Sequence, residues 1–153
     1  MTEENHQSLL FNPVLIAGSL ILIVGFAIRA SFGVFQIPIE EEFGWLRADF
    51  SLAIAIQNLA WGIGQPLFSM IAEKYGDRKA IFLGSVLYAV GLILSSYAVT
   101  PLAHQFLEIL IGFGIAGMGF GVILAVIGRT TSEKNRSLAL GIATSAGSLG
   151  QII

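Results

Sequence analysis

The chain has 153 residues, of which 55% are hydrophobic and only 12% are charged, with a net charge of −2 and a mean hydropathy of +0.81. A soluble domain is about one quarter charged, so this composition excludes an ordinary soluble fold and favours a membrane protein. The lack of cysteine excludes disulfides and cysteine-based metal sites, and the lack of a basic stripe excludes a nucleic-acid partner.

Long apolar stretches alternate with short charged ones along the chain. A helix needs about 20 apolar residues to cross about 30 Å of hydrocarbon, and a chain in lipid must satisfy its backbone hydrogen bonds internally. The pattern predicts an all-α membrane protein with four full transmembrane helices and the start of a fifth. We expect these spans at residues 13–37, 50–72, 80–99, 105–127 and 137–153.

Residues that commonly start or stop helices lie at these boundaries. We expect Asn12 to begin the first span and Pro38 to end it. We expect Asp49 to cap the second span and Thr100 to separate the third from the fourth. Residues 1–12 lack the positive start of a secretory signal, so we expect them to form a cytoplasmic segment before an uncleaved first span.

Basic residues are divided unevenly between the two sides of the predicted bundle. Six of the seven Lys and Arg outside the spans fall in the loops after the second and fourth spans: Lys74, Arg78, Lys79, Arg129, Lys134 and Arg136. The positive-inside rule assigns that side to the cytoplasm. We therefore expect a multi-pass protein of the cell inner membrane with a cytoplasmic N-terminus.

One arginine, Arg29, lies inside the first span. A charge there costs about 2.5 kcal/mol or more and usually faces a cavity or a partner. The same depth in the second span falls near Gln57 and Asn58. We predict that Arg29 binds a small organic anion and that the two amides help to solvate it. Two alternatives stay open: Arg29 extends to the outer interface, or it pairs with an acid in another helix.

Two further polar features lie in the second and fourth spans. Gln57, Trp61 and Gln65 are four residues apart and share one helical face, which forms either a hydrogen-bonded seam between helices or a ligand surface. Glu108 follows His104 by one turn near the outer end of the fourth span. A proton-coupling role is one hypothesis for this carboxyl group.

The fourth span contains GFGIAG, Gly112 to Gly117, which matches the dinucleotide-binding pattern G-x-G-x-x-G. That pattern binds a pyrophosphate only where it follows a strand and opens a helix that faces water, whereas this segment lies in continuous apolar sequence. Small residues four apart instead let membrane helices approach closely. We interpret the segment as a packing face, and we expect no cofactor, no metal site and no enzymatic activity.

The loop after the second span, SMIAEKYGDRKAIFLG, resembles the cytoplasmic loop motif G-x-x-x-D-R-x-G-R-R of the major facilitator superfamily. Glu73 takes the place of the acid, Gly76 that of the second glycine and Arg78 that of the last arginine, whereas Asp77 reverses a charge. The resemblance implies that Glu73, Gly76 and Arg78 act as a conformational switch through charge pairs and helix dipoles.

Further segments indicate which branch of the superfamily the chain resembles. KNRSLALGIATSAGSLGQ resembles the start of the fifth helix in monocarboxylate-porter-like members. IRASFGVFQIPIEEEFGW followed by FSLAIAIQNLAWGIGQP is similar to the first two helices of bacterial members of that branch. Glu108 stands four residues before Gly112, where the drug-proton antiporter branch carries arginine, so no drug-efflux mechanism is implied. The superfamily has twelve helices in two halves around a central site. Residues 13–153 are then expected to be a partial N-terminal bundle.

We therefore expect part of a secondary transporter that moves a small, monocarboxylate-like organic anion by alternating access. Its expected partners are the lipid bilayer, the anion and the missing C-terminal helices, with a coupling proton as an open option. Two alternatives stay open: a small four-helix membrane protein that acts as an oligomer, and a membrane interaction subunit that does not transport.

Overall fold

The structure, a computed structural model, describes residues 12–152, and every regular element in that range is a helix. The expected all-α class is confirmed. The predicted N-terminal segment 1–12 lies outside the described residues, apart from Asn12. Within residues 12–152, six helices follow one another: α1 Pro13–Phe43, α2 Arg47–Tyr75, α3 Asp77–Ser95, α4 Pro101–Met118, α5 Phe120–Thr130 and α6 Glu133–Gly150.

Three stretches of the described chain are long and apolar enough to cross a membrane: α1, α3 and Pro101–Thr130, which contains α4 and α5. Helix α2 has 29 residues, enough for about 43 Å at about 1.5 Å per residue. It is less apolar because it carries amides along its length and charges at both ends. Helix α6 has 18 residues and several hydroxyl side chains. The second and fifth predicted spans therefore remain predictions.

Asn12 and Thr100 lie at helix starts, as predicted, but α4 begins at Pro101 and not at the predicted residue 105. The Oδ1 atom of Asn12 accepts a hydrogen bond from the backbone N–H of Val14 at 2.9 Å. Thr100 is the N-cap of α4 and accepts from the N–H of Ala103 at 3.3 Å, while Pro101 occupies the first turn. Both side chains satisfy backbone donors that the first helical turn leaves without a helical partner.

Pro38 does not end the first helix, contrary to the prediction. Helix α1 continues to Phe43 with Pro38 inside it. Proline removes one backbone hydrogen bond and its ring crowds the carbonyl four residues earlier, but a helix that keeps its other backbone hydrogen bonds continues through it. Across this turn Nε2 of Gln36 donates to Oε1 of Glu40 at 2.7 Å. The helix ends before Gly44, whose φ of 66° lies in the left-handed region that favours glycine.

The fourth predicted span, residues 105–127, is not one continuous helix. Helix α4 ends at Met118 and α5 begins at Phe120, with Gly119 between them in an extended conformation. Gly119 has a glycine two residues away on each side, at positions 117 and 121. Each glycine lowers helix stability by about 1 kcal/mol relative to alanine, so this glycine-rich stretch explains the break.

The chain forms two compact units, one of residues 12–30 and 123–152 and the other of Ser31–Val122. In the larger unit, α4 packs extensively against both α2 and α3, whereas α2 and α3 contact each other less. Helix α4 is therefore the central helix of the larger unit.

Glycines also mark the helix contacts of the smaller unit. A Cβ atom added to Gly18 of α1 would lie 3.0 Å from side-chain atoms of Ile123 and Ile127 in α5. A Cβ atom added to Gly150 of α6 would lie 2.9 Å from the Cα of Ile23 in α1. The first half of α1 thus packs closely against α5 at Gly18 and against α6 at Gly150.

The predicted packing face on α4 is confirmed. We call it the glycine face, and it consists of Gly112, Gly114 and Gly117. A Cβ atom on Gly112 would overlap the carbonyl oxygen of Gln57 in α2. One on Gly114 would lie 2.5 Å from the backbone N of Tyr88 in α3, and one on Gly117 would lie 2.7 Å from the Cα of Gly84. The glycine face therefore brings both neighbouring backbones into direct contact with α4.

We expect Gly114→Ala to destabilise the larger unit by about 1–3 kcal/mol, the usual cost of overpacking. The added methyl group would meet the backbone of α3, which a rotamer change cannot move aside. The measurement is unfolding of the detergent-solubilised chain, followed by circular dichroism.

Gly62→Ala is the matched control for this substitution. Gly62 lies on the exposed face of α2, with nothing within 4 Å of the position its Cβ would take. There, alanine should be neutral or should stabilise the helix by up to about 1 kcal/mol. Equal effects of the two substitutions would contradict the role assigned to the glycine face.

Candidate functional site

Two ionisable side chains lie buried at the start of α4. His104 and Glu108 are one helical turn apart and therefore share a face, and their exposed fractions are only 5% and 0%. The imidazole Nε2 lies 3.3 Å from Oε1 of Glu108. The cap at Thr100 fixes where α4 begins and thereby turns both residues toward the interior.

The second oxygen of the Glu108 carboxyl group is held by α2. Nε2 of Gln57, a residue only 1% exposed, donates a hydrogen bond to Oε2 of Glu108 at 2.6 Å. Gly112 lies one turn after Glu108 and admits the backbone of α2 at Gln57 itself. The close approach at this glycine is what places the amide within hydrogen-bonding distance of the carboxyl group.

The other side of the imidazole meets α3. The hydroxyl oxygen of Ser95, in the last turn of α3, lies 2.8 Å from Nδ1 of His104. One turn earlier, a Cβ atom on Gly91 would lie 2.7 Å from a side-chain atom of Ile111 in α4. A glycine contact thus positions this hydrogen bond too. The polar cluster, as we call it, consists of Gln57, Ser95, His104 and Glu108.

Two aromatic rings cover the imidazole. The ring of Phe50 stacks on His104 at 5.9 Å and 21° between planes, and the ring of Trp45 lies at 5.5 Å. Trp45 is itself held in place, since its Nε1 donates to the carbonyl of Val99 at 3.3 Å. These rings restrict access to His104 from the segment that joins α1 to α2.

The cluster can accommodate a proton on either ionisable group. A buried carboxylate is costly unless it is hydrogen-bonded or paired, and Glu108 has Gln57 on one oxygen and His104 beside the other. Ser95 serves both states of the imidazole, because a hydroxyl group donates to a neutral Nδ1 and accepts from a protonated one. The arrangement suits proton exchange between an imidazole and a carboxyl group.

The three residues predicted to bind an anion lie in different environments. Arg29 is partly buried near the middle of α1 and belongs to the smaller unit. Gln57 is buried against α4, whereas the adjacent Asn58 is exposed on another face of α2. Gln57 and Asn58 therefore do not point to one place, and the binding role of all three residues stays a prediction.

The face of Gln57, Trp61 and Gln65 packs against the break between α4 and α5. A Cβ atom on Gly119 would lie 3.5 Å from Nε1 of Trp61, and one on Gly121 would lie 3.1 Å from Oε1 of Gln65. Of the two interpretations of this face, the contacts support a seam between helices.

The predicted switch lies in the connection between α2 and α3. Gly76 alone joins the two helices. Its φ of 98° and ψ of 147° form a backbone conformation that residues other than glycine adopt only under strain. Glu73 and Arg78 are exposed, and within residues 12–152 neither forms an ion pair. The geometry explains the glycine of the motif, and the switching role of these three residues stays a prediction.

Ser95 and Trp45 were not predicted to belong to this site. Neither belongs to a motif, and each reaches His104 only through tertiary packing. The sequence gives only indirect evidence for Ser95. It lies just before the short connection that leads to the Thr100 cap, and a short connection keeps it near the start of α4.

The apolar helices and the glycine-packed bundle define a multi-pass α-helical membrane protein. Residues 17–153 match the Major Facilitator Superfamily. The chain belongs to that superfamily, which confirms the resemblance seen in the loop motif and points to a transporter rather than an enzyme.

Several vertebrate transporters are similar to the chain. It is 36% identical to monocarboxylate transporter 13 of Bos taurus over 127 residues, which cover 77% of the chain and 28% of the relative. It is 29% identical to monocarboxylate transporter 12 of Homo sapiens over 143 residues, which cover 92% of the chain and 27% of the relative. The chain thus spans little more than a quarter of these relatives. The relatives support the monocarboxylate-porter resemblance but not its bacterial branch.

We expect Gln57→Leu to destabilise the larger unit by about 1–3 kcal/mol, because it removes a donor from a buried carboxyl group. Glu108→Leu should destabilise the unit by a similar amount, since it leaves the Gln57 amide without this acceptor. The measurement is the free energy of unfolding in detergent for both single variants and the double variant.

The double variant provides the internal control. Replacing both partners by apolar groups is often close to neutral, so the loss in the double variant should be smaller than the sum of the two single losses. Strictly additive losses would show that the hydrogen bond between Gln57 and Glu108 makes no contribution of its own.

Proposed function

We propose that the chain is the N-terminal part of a secondary transporter that moves a small, monocarboxylate-like organic anion by alternating access. Membership of the Major Facilitator Superfamily carries the proposal, and the similarity to proteins named monocarboxylate transporters supports the substrate class. The proposal concerns the whole protein, because the chain corresponds to about 28% of such a relative.

Arg29 is the proposed anion-binding residue. It lies in a 31-residue apolar helix, where a guanidinium group is costly unless it faces a cavity or a partner. Its planar fork of donors matches a carboxylate and forms two parallel hydrogen bonds. Gln57 and Asn58 of α2 are the proposed amides that help to solvate the anion.

The single-residue connection at Gly76 is the proposed pivot of the conformational switch. Lys74 lies in the last turn of α2 and Asp77 in the first turn of α3, where each charge is stabilised by the helix dipole. Exposed Glu73 and Arg78 flank the connection and are available to pair with helices of the whole transporter. Their pairing in one conformation would bias the alternating equilibrium.

The proposed membrane arrangement places α2 and α6 across the bilayer together with the three apolar stretches. The basic residues near positions 74–79 and 129–136 then face the cytoplasm. The proposed location is the cell inner membrane, with the N-terminus on the cytoplasmic side.

This topology can be tested with single cysteines, because the natural chain has none. We expect cysteines at positions 43 and 102 to react with an impermeant thiol reagent added to intact cells. Cysteines at positions 76 and 133 should react only after the cells are opened. Labelling of position 76 from outside would contradict the topology.

Arg29→Lys in the whole transporter should weaken anion binding by roughly ten- to a hundredfold. The ammonium group cannot reproduce the bidentate geometry, and a charge-assisted contact contributes about 1.5–3 kcal/mol. Arg29→Gln should weaken binding further, since it removes the charge. The measurement is the affinity for short-chain monocarboxylates in proteoliposomes.

A structural role for Arg29 gives a different result. Both substitutions would then lower the yield of folded protein, and a change in the partner acid would restore it. Unchanged affinity for every anion tested, in well-folded Arg29→Gln protein, would exclude the binding role.

A further inference from the structure

We infer that His104 and Glu108 form a binding site for one exchangeable proton, which controls how α2 and α3 pack on α4. The site is built from residues other than the anion-binding arginine. Its control over transport rests on the function proposed above, whereas proton binding itself can be measured without transport.

One proton makes the pair neutral as a whole. With the proton bound, the pair is either an imidazole beside a carboxylic acid or an imidazolium beside a carboxylate, and the two forms differ by a shift across 3.3 Å. Without it, a carboxylate with an exposed fraction of 0% remains beside a neutral ring. Because a buried unbalanced charge is costly, occupancy of this site changes the energy of the surrounding packing.

The proton has a path from solvent to the carboxyl group. Ser95 is partly exposed in the last turn of α3, beside the turn that connects to α4. Its hydroxyl group contacts Nδ1 of His104, whose Nε2 faces Glu108. A proton from outer water passes through the Ser95 hydroxyl group and forms an N–H bond on Nδ1, while the Nε2–H bond breaks and its proton forms an O–H bond on Glu108, which leaves the imidazole neutral. On release the O–H bond breaks, the Nε2–H bond forms again and Nδ1 returns its proton to Ser95 and water.

The other ionisable groups at this end are engaged elsewhere or neutral. Asp49 of α2 directs its carboxylate to the N–H of Leu46 at 3.1 Å, and Arg47 lies 3.9 Å from Glu40. On the surface of α3 that packs against α4, the titratable side chain is the buried phenol of Tyr88. The remaining charges of these helices lie at their opposite ends: Glu73, Lys74, Asp77, Arg78 and Lys79. His104 is therefore the base closest to Glu108.

The same hydrogen bonds connect three helices. Gln57 links α2 to the carboxyl group, and Ser95 links α3 to the imidazole. Hydrogen bonds to a charged acceptor are about twice as strong as neutral ones. A charged Glu108 thus holds α2 firmly on α4, and a proton bound on its carboxyl group weakens that hold. Transport that requires α2 and α4 to shift should accordingly be faster at acidic external pH.

The first experiment measures proton binding directly. The purified chain in lipid nanodiscs is titrated while infrared difference spectra record the carboxylic-acid stretching band. We expect a band that grows on acidification, disappears in Glu108→Gln and persists in Glu42→Gln, which changes an exposed carboxylate of α1. A wild-type titration that Glu108→Gln leaves unaltered would overturn the site.

The second experiment measures control of transport. In proteoliposomes with the complete protein, monocarboxylate uptake should rise about tenfold per unit fall in external pH above the midpoint, as mass action gives for one bound proton. Glu108→Gln should flatten this profile, and Glu42→Gln should retain it. Uptake that follows sodium instead of pH, or a profile unchanged by Glu108→Gln, would overturn the inference.

A second variant tests the site even where Glu108→Gln does not fold. His104→Gln keeps a polar side chain but cannot bind the proton, and it should shift the infrared titration of Glu108 to a different pH. An unshifted titration would contradict the pairing. Absence of anion uptake by the wild type would contradict the proposed function, whereas the infrared titration would still decide the proton site.

Discussion

The close approach of α2 and α3 to α4 is the constraint on which the larger unit depends. In lipid no hydrophobic force drives helices together, so association relies on van der Waals contact and on hydrogen bonds between helices. Gly112 and Gly114 remove the side chains that would hold the backbones apart. The contacts that replace them are between backbones, which makes the spacing of the helices insensitive to side-chain rearrangement.

The polar cluster is a consequence of that spacing. The bond from Gln57 to Glu108 is only 2.6 Å long and joins two different helices, so it forms only where their backbones nearly touch. Gly112 provides this contact on one side of α4, and Gly91 provides it on the other side, next to Ser95. A larger residue at either position would separate the donors from the acceptors by more than a hydrogen bond can span.

Much of the fold follows from local sequence, and less of the site does. The Asn12 and Thr100 caps and the glycine spacing are local signals that were predictive, and hydropathy predicted the all-α class and the apolar stretches of the first, third and fourth spans. The prediction from Pro38 was wrong because a helix that keeps its other backbone hydrogen bonds continues through a single proline. Gln57 and Glu108 were recognisable as costly polar residues in apolar spans, but they are 51 residues apart in the chain. Their partnership depends on tertiary packing, which no local pattern encodes.

The glycine contacts also determine how the larger unit is able to move. Helices held by interdigitated side chains must repack in order to shift, whereas smooth glycine surfaces resist displacement mainly through the few directional bonds across them. In this unit those bonds are concentrated at the polar cluster, at one end of α4. A change in the charge of Glu108 therefore acts on the part of the interface that fixes the register of α2 against α4. This placement gives a single buried carboxyl group influence over the motion of whole helices.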